Sequence, residues 1–489
     1  MLALLLSACG IRGDIGEELI IEEGENVIQM AVYGADTYNP LRTRSQSMKE
    51  MLTLVYEPLF EKDEALRPIP CLAEKVQTAP DGMSATVFPA DGIKWQDGSG
   101  FCADDIIYTI NQIKSGDSLY KHNVAPIASA ELQADGTVCL SLYEPVMNIE
   151  GLLTFPVIKN GSAETLNDSP NGTGAFEVSE KTATSLVLTP NNKRADTSVS
   201  AVNVRVLRSA EACVNAFESN DLDVITSSVI DLGVKTPGGD IQIKNYTSNR
   251  MTFLGFNCAL EKYSLPDIRL AVYELINRDK LIEKAQYGRA TACRLPFNPS
   301  SWLYVEIDGP ELDVEGTMAN AGYSKTNGVY TDAEGAPLYM SILVSEESVH
   351  KTAAAEQLAS QLVSAGVTAT VERVSFEEYT RRVNSGNYDV FIGEVAMQDN
   401  LDPGFLCGNG NYFGFYDDTL LTAAYNLRLS GDSEAVTEYG RAFTANPPYV
   451  PLFFANDGVV YRKSISGITE PNFCNNLYGL ENWYFRAEG

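Results

Sequence analysis

An aspartate that follows a predicted strand is well placed to bind a ligand. The stretch YDVFIGEV predicts a strand, and Asp399 lies four residues beyond its last residue, Val395. Open α/β sheets bind ligands beyond the carboxyl ends of their strands, and a carboxylate there can hold an ammonium group by a charge-assisted hydrogen bond. In the alternative interpretation, Asp399 and Asp402 bond to the backbone of their own turn and Pro403 fixes the bend. Spacing alone favours the turn.

Candidate catalytic residues are few. Gly116–Leu119 spell the letters of a GDSL esterase motif, and Ser118 would then need a histidine partner. The two histidines are His122 and His350, and Glu347 stands where the required D-x-x-H has its aspartate. No P-loop or dinucleotide fingerprint occurs. We therefore predict a protein that is not an enzyme and has no cofactor, with a serine hydrolase as the less favoured alternative.

Composition excludes several kinds of partner. The 489 residues suffice for two or three domains. With 65 acidic and 36 basic residues the net charge is −29, and such a surface repels nucleic acid. Two histidines and no C-x-x-C pair argue against a metal site. After the N-terminus, no segment is long and apolar enough to cross a bilayer.

The first residues predict export and a lipid anchor. The apolar run Leu2–Leu6 is shorter than the roughly 20 residues that span a bilayer, and small residues follow it, as in a secretory signal. Leu6-Ser7-Ala8-Cys9 resembles the lipobox of bacterial lipoproteins, in which the signal is cut before a cysteine that is then acylated. The alternative is a tail with a chance cysteine. We predict lipidation at Cys9, an acidic tether over 10–25, and a location at the outer face of the cell membrane or in the periplasm.

Eight further cysteines leave two interpretations open. Their even number outside the cell permits disulfides, but their wide spacing does not reveal a pairing, and buried free thiols fit the sequence as well. They are Cys71, Cys102, Cys139, Cys213, Cys258, Cys293, Cys407 and Cys474.

Apolar spacing predicts the elements of the N-terminal half. NVIQMAVYG predicts a strand, and ADDIIYTINQIK predicts a helix with Ile106, Ile110 and Ile113 inward and its acidic residues in the first turn. DGTVCLSLYEP and PNGTGAFEV each contain a strand after a turn. SQSMKEMLTLVYEPLF predicts a helix that Ser45 or Ser47 caps. Its apolar face consists of Met48, Met51, Leu52, Val55, Tyr56 and Leu59.

The stretch from about 335 to 400 is the most regular. LYMSILV, VTATVERV and YDVFIGEV predict strands, and the helices between them end at Gly366 and Gly386. Alternating strands and helices with short links predict a parallel sheet with right-handed crossovers.

Several stretches resemble the bacterial extracellular solute-binding proteins of family 5, the peptide- and nickel-binding components of ABC importers. They occur in the order of that family, from about residue 27 to the end of the chain. The matching segments are YNPL (Tyr38–Leu41), LVYEPLF (Leu54–Phe60), GIKWQDGSGFCADDI (Gly92–Ile106), PNGTGAFEV (Pro170–Val178), DIRLAVYELINRDKLI (Asp267–Ile282), DNLDP (Asp399–Pro403) and PPYVPLFF (Pro447–Phe454).

This resemblance implies an α/β fold of two lobes that close like a clamp around a hinge, the type II periplasmic-binding-protein fold with an extra subdomain. Lobe I is expected to be discontinuous, over 26–265 and 455–489, with the extra subdomain at about 46–171. Lobe II is expected to be continuous, over 266–454, and to contain the parallel sheet.

The resemblance also implies a ligand site between the lobes. Peptide-binding members hold the ligand amino group with an aspartate at the position of Asp399. Members usually carry Trp three residues earlier, where this chain has Ala396, and Met397 is expected to fill some of that volume. Further candidates are Tyr33, Tyr246, Asn249, Arg250, Phe413 and Tyr416, although core packing is the commoner fate of such aromatics. Candidates for binding a peptide carboxylate are Arg250, Arg294, Lys351 and Arg373.

The function implied is that of a monomeric, lipid-anchored receptor of an ABC importer. It would capture short peptides between its lobes and deliver them to a membrane permease. Alternatives are a metal chelate of nickel or a metallophore, or an oligosaccharide, bound by the same clamp. A structural adhesin would bind no small ligand.

Overall fold

The computed structural model describes residues 26–194, 196–230, 235–307, 312–408 and 410–486. Cys9 and the predicted tether over 10–25 lie outside them. The strands are β1 (Val27–Tyr33), β2 (Phe60–Lys62), β3 (Pro68–Pro70), β4 (Ala73–Thr78), β5 (Ser84–Pro89), β6 (Ile127–Leu132), β7 (Val138–Leu142), β8 (Phe176–Lys181), β9 (Ser185–Pro190), β10 (Ala201–Leu207), β11 (Val224–Ile225), β12 (Ile241–Phe256), β13 (Ala290–Ala292), β14 (Ser324–Thr326), β15 (Val329–Thr331), β16 (Tyr339–Ser345), β17 (Thr368–Val374), β18 (Val390–Ala396), β19 (Tyr449–Arg462), β20 (Ile465–Ser466) and β21 (Tyr484–Phe485).

Helices alternate with these strands, and two short 3-10 helices cover Gly404–Cys407 and Leu480–Asn482. The α-helices are α1 (Gln46–Leu52), α2 (Ala103–Ser115), α3 (Lys121–Val124), α4 (Ile149–Leu152), α5 (Ala210–Glu218), α6 (Glu261–Ser264), α7 (Pro266–Leu275), α8 (Arg278–Ala285), α9 (Val314–Asn320), α10 (Val349–Ala365), α11 (Phe376–Asn384), α12 (Asp418–Ser430) and α13 (Ser433–Ala445).

Buried apolar side chains form two large clusters. One joins the elements of the N-terminal half to the C-terminal segment from Val459 to Trp483. The other runs chiefly from Met251 to Phe454. A smaller cluster lies under α5. The chain is thus a two-lobed α/β protein, as predicted, and its domain bounds stay a prediction that this division of the cores supports.

Two long strands connect the lobes. β12 and β19 pair antiparallel, first through Ile241–Thr247 with residues 456–462, then from Met251 onward with residues 449–454. The register shifts between Thr247 and Met251, and such irregularities bend a strand. The sheet order is β11-β19-β12-β18-β16-β17, so the connecting strands and the parallel strands share one sheet.

The predicted parallel unit is confirmed. β16 pairs parallel with both β17 and β18, and α10 and α11 provide the crossovers. Ser348 caps α10, and Gly366 ends it with φ +104°, a left-handed conformation that glycine adopts without strain. The strands predicted in NVIQMAVYG, DGTVCLSLYEP and PNGTGAFEV are present as β1, β7 and β8, and Ile106, Ile110 and Ile113 of α2 are fully buried.

The first predicted helix is shorter than its apolar pattern indicates. Ser45 caps α1 as predicted, but the helix ends at Leu52. Beyond that point the carbonyls of Leu54 and Val55 accept hydrogen bonds from the backbone amides of Phe176 and Gly174, at 3.0 and 2.9 Å. The chain therefore bonds to a neighbouring segment instead of continuing its own helix, although the predicted apolar face is buried.

The cysteines and helices settle two further points. All eight cysteines after Cys9 have free thiols among the described residues, which resolves the alternative in favour of thiols.

In the described part of the chain, no helix combines the length and apolarity that crossing a bilayer requires.

The packing of the segment before β8 against the chain that follows α1 requires a glycine at position 172. A Cβ there would overlap the carbonyl oxygen of Val55, and backbone cannot move as a side-chain end can. We expect Gly172→Ala to lower the free energy of unfolding by about 3 kcal/mol or more, measured by urea denaturation. Gly100→Ala is the matched control, because nothing lies within 4 Å of its Cβ. Equal stability of the two variants would contradict this packing.

Candidate functional site

A cavity of about 470 Å³ lies between the lobes. This volume is within the range of small-molecule sites, about 300–1,000 Å³. Lobe II contributes the residues that follow β18, and lobe I contributes α1, β2 and the C-terminal segment. The lining residues are Pro40, Gln46, Lys49, Leu52, Thr53, Tyr56, Pro58, Phe60, Glu61, Lys62, Tyr120, His122, Thr154, Pro156, Asn249, Ala396, Met397, Gln398, Asp399, Phe405, Phe473, Cys474, Asn475 and Tyr478.

The lobe II wall lies where the sequence predicted a ligand site. β18 is a parallel strand whose carboxyl end leads into the run from Ala396 to Asp399, and all four of these residues line the cavity. The backbone amide of Met397 donates to the carbonyl of Asn249 at 2.8 Å, and Asn249 Nδ2 donates back to the Met397 carbonyl at 3.3 Å. The predicted residues Asp399, Met397 and Asn249 are therefore brought together.

The carboxylate of Asp399 reaches across to lobe I. Asn123 Nδ2 donates to its Oδ2 at 3.0 Å, and Nε2 of His122 lies 3.5 Å from the same oxygen. Lys62 Nζ donates to the Asp399 backbone carbonyl at 2.6 Å and lies 3.9 Å from Oδ1. The Lys62 side chain is fully buried, whereas 17 % of the Asp399 side chain is exposed.

These neighbours keep Asp399 ionised. Burial by itself would raise the pKa of its carboxyl. The Lys62 ammonium, with the contributions of His122 and Asn123, outweighs that effect and holds the pKa below its ordinary range. Asp399 is thus a permanent negative charge on the cavity wall, already faced by the Lys62 ammonium.

The turn interpretation applies to the second aspartate instead. Asp402 accepts hydrogen bonds from the Gly404 amide and from Arg428 Nε, both at 2.7 Å. The contacts of the Asp399 carboxylate lead to lobe I, not to the turn's own backbone. The two aspartates of one motif therefore have different roles.

Three predicted polar or hinge residues do not line this cavity. The Tyr33 hydroxyl donates to the Ser228 carbonyl at 2.7 Å, which holds it inside lobe I. The Tyr246 hydroxyl lies 2.8 Å from the Ser227 hydroxyl. Arg250 pairs with Asp457 at 2.7 Å, an ion pair between β12 and β19 at the point where their register shifts.

The two predicted wall aromatics also lie elsewhere. Phe413 is fully buried in the core of lobe II, where its ring stacks on Phe391 and Tyr449 with centroids 6.0 and 5.1 Å apart. Tyr416 is 68 % exposed, and its hydroxyl donates to Asp418 at 2.5 Å. Core packing and an exposed turn account for these positions.

The basic residues considered for a ligand carboxylate are paired outside this cavity. Arg294 pairs with Glu274, Lys351 with Glu394, and Arg373 with Glu356. Ser118, of the esterase-like letters, accepts the Tyr120 backbone amide at 3.2 Å in a turn. No group of three potential metal ligands occurs within the described ranges.

Sequence reasoning missed the lobe I wall. Gln46, Lys49 and Thr53 lie three and four residues apart, and all line the cavity from one face of α1 and its end. The spacing of these polar residues, opposite the apolar face of α1, could have predicted this wall from the sequence. No sequence pattern indicated that Glu61 lines the cavity. Burial, followed by the carboxylates of Glu57 and Glu481, raises the pKa of Glu61 to about 7, whereas Arg194 acts to lower it.

Comparison with known proteins identifies the family of the chain. The family model of the bacterial extracellular solute-binding proteins, family 5 (middle part), matches residues 67–414. The oligopeptide-binding protein AppA of Bacillus subtilis is 20 % identical over 99 % of this chain and 97 % of its own length. Heme-binding protein A of Haemophilus influenzae is 23 % identical over 87 % of this chain and 86 % of its own.

A solved structure shows the same fold. NikZ from Campylobacter jejuni, crystallised with Ni(L-His), has a TM-score of 0.65 and 18 % identity over 94 % of this chain and all of its own. The family model covers more than half of the chain, and the matched segment includes the Asp399 turn. The chain belongs to the bacterial extracellular solute-binding proteins of family 5.

Proposed function

We propose that this protein is the peptide-capturing receptor of an ABC importer, which closes on a short peptide and delivers it to a membrane permease. The observation that supports this most is Asp399, an ionised carboxylate on the wall of an interlobe cavity. Leu6-Ser7-Ala8-Cys9 supports a lipid anchor that would hold it outside the cell. The binding of oligopeptides by AppA supports peptide as the ligand.

The amino group of the peptide would bind to Asp399. Its Oδ2 already faces Asn123 and His122, whereas Oδ1 has Lys62 at the longer distance of 3.9 Å. Oδ1 therefore retains acceptor capacity toward the cavity. An ammonium there would form a charge-assisted hydrogen bond with the carboxylate.

Ligand binding would also strengthen a direct contact between the lobes. Asn400 Nδ2 donates to the Met147 carbonyl at 2.9 Å, next to the bond from Lys62 to the Asp399 backbone. A ligand shifts a conformational equilibrium only as far as it binds one state better than the other. A peptide that touches both walls would favour the state in which they meet.

The ligand class can be tested by thermal shift and native mass spectrometry. We expect a pool of di- to pentapeptides to raise the melting temperature and to leave a bound species, because ligands that bind the folded state stabilise it. Ni(L-His), haem and an oligosaccharide pool serve as comparisons. Stabilisation by one of these and not by peptides would refute the proposal in favour of that ligand.

Asp399 can be tested with Asp399→Asn. We expect the variant to bind peptides with a free amino group at least about tenfold more weakly, since a hydrogen bond to a charged group contributes about 1.5–3 kcal/mol. N-acetylated peptides should bind the variant and the wild type alike, measured by isothermal titration calorimetry. A loss of equal size for both peptide forms would show that the substitution acts through folding and not through the amine.

The contact between the lobes can be tested at Gly151 of α4. A Cβ at this position would lie 2.8 Å from Asn400 Cα and 2.9 Å from the Asp399 carbonyl oxygen. We expect Gly151→Ala to weaken peptide binding about tenfold, because overpacking costs about 1–3 kcal/mol and separating the lobes relieves it. The measurements are calorimetry and the radius of gyration by X-ray scattering, with Gly100→Ala as control. Unchanged affinity and dimensions would mean that the bound state lacks this contact.

A further inference from the structure

The charged groups that line the cavity differ in whether the protein itself provides a partner of opposite charge. Lys62 and His122 both face Asp399, so that carboxylate has a cationic partner and a second polar neighbour within the protein. The charged groups that act on Glu61 are Glu57, Glu481 and Arg194, on its lobe I side. Lys49 remains, and among the described residues no carboxylate lies within ion-pair distance of its ammonium.

Lys49 is held in the cavity by packing. It projects from α1 between Gln46 and Thr53, and its Nζ lies 5.0 Å from the centroid of the Tyr120 ring. The side chain is half-buried, and Tyr120 itself is buried. A cation placed over a tyrosine ring is stabilised electrostatically, but that contact leaves the ammonium hydrogens without an anionic acceptor.

Lys49 stays charged in this setting. The Tyr120 oxygen raises the pKa of the Lys49 ammonium, burial lowers it, and Asp399 raises it further from beyond ion-pair distance. The net effect is a pKa above the ordinary value. A charged group removed from water is costly unless it is paired, so an anion that enters the cavity would remove this cost.

We propose that Lys49, with Tyr120 beside it, is the subsite for the carboxylate of the ligand. This inference rests on the proposed function and makes it more specific. The ligand would be a short peptide with both ends free, its ammonium at Asp399 on lobe II and its carboxylate at Lys49 on lobe I. Asn475 contributes a polar side chain to the same wall, where its Oδ1 accepts a hydrogen bond from Thr53 at 3.2 Å.

This arrangement favours recognition of the ends over recognition of the side chains. Both anchors are charges on opposite lobes, so a ligand that satisfies them bridges the clamp. The cavity of about 470 Å³ restricts the length that can fit between them. A blocked carboxyl end would leave Lys49 buried without its partner, which is the more costly outcome.

The test uses one synthetic pool of di- to pentapeptides in two forms, the free acid and the C-terminal amide, with retention measured by native mass spectrometry and affinity by calorimetry. Wild type should prefer free acids by about tenfold or more. Lys49→Met should lose this preference while still requiring a free amino group. Lys49→Arg, which keeps the charge, should retain it. Lys121→Met removes an exposed lysine of α3 and should behave as wild type.

The outcomes separate this inference from the function on which it rests. If wild type retains neither form, both the peptide function and the subsite are refuted. If it retains both forms equally, the peptide function stands and the subsite is refuted. A preference for free acids that persists in Lys49→Met also refutes it, because another group would then bind the carboxylate. Melting temperatures of the variants identify any loss that comes from misfolding.

Discussion

The arrangement of the site depends on one buried charge, the Lys62 ammonium of lobe I, whose partner is Asp399 of lobe II. The Lys62 side chain is fully buried and lies against the carboxylate and the backbone carbonyl of Asp399. Its ammonium also lies 4.9 Å from the ring of Phe473. A buried charge whose partner is removed costs about 3–5 kcal/mol. The end of β18 therefore has a defined position against β2, and the cavity keeps its shape because those two elements are held together.

The strands that connect the lobes also position the site. The register of β12 and β19 shifts between Thr247 and Met251, and the residues of this interval bond to the lobe II wall. Asn249 exchanges hydrogen bonds with Met397, and Arg250 pairs in register with Ala396. A change in bend at this point would move the run that carries Asp399. The hinge and the ligand wall are thus parts of one hydrogen-bonded ladder. Bending of β12 and β19 would therefore reach Asp399 through backbone hydrogen bonds.

The elements whose bounds depend on residues adjacent in sequence were predicted correctly. Apolar period and glycine stops predicted the parallel unit, since Ser348 and Gly366 bound α10 by rules that need only neighbouring residues. The position of Asp399 followed from the strand before it. The end of α1 did not, because the amides of Gly174 and Phe176, far away in sequence, bond to the carbonyls of Val55 and Leu54 just after it. The aromatic Phe413 was ambiguous because a core side chain and a pocket wall require the same residue type.

The lobe I wall was hidden for a related reason, and it decides what charge the cavity selects. Lys62 and Asn123 contact Asp399, and Lys49 lines the same cavity, only because of the fold. Outside, a net charge of −29 lowers the local concentration of anions, an effect that salt screens within about 10 Å. Inside, Lys49 lines the cavity from lobe I and Asp399 lines it from lobe II. A ligand with only negative charge is repelled by the protein surface and then by Asp399 in the cavity. A ligand with only positive charge is attracted by the surface but repelled by Lys49 in the cavity. A ligand with separated and balanced charges avoids both penalties, so the cavity discriminates by the distribution of charge along the ligand and not by its sum.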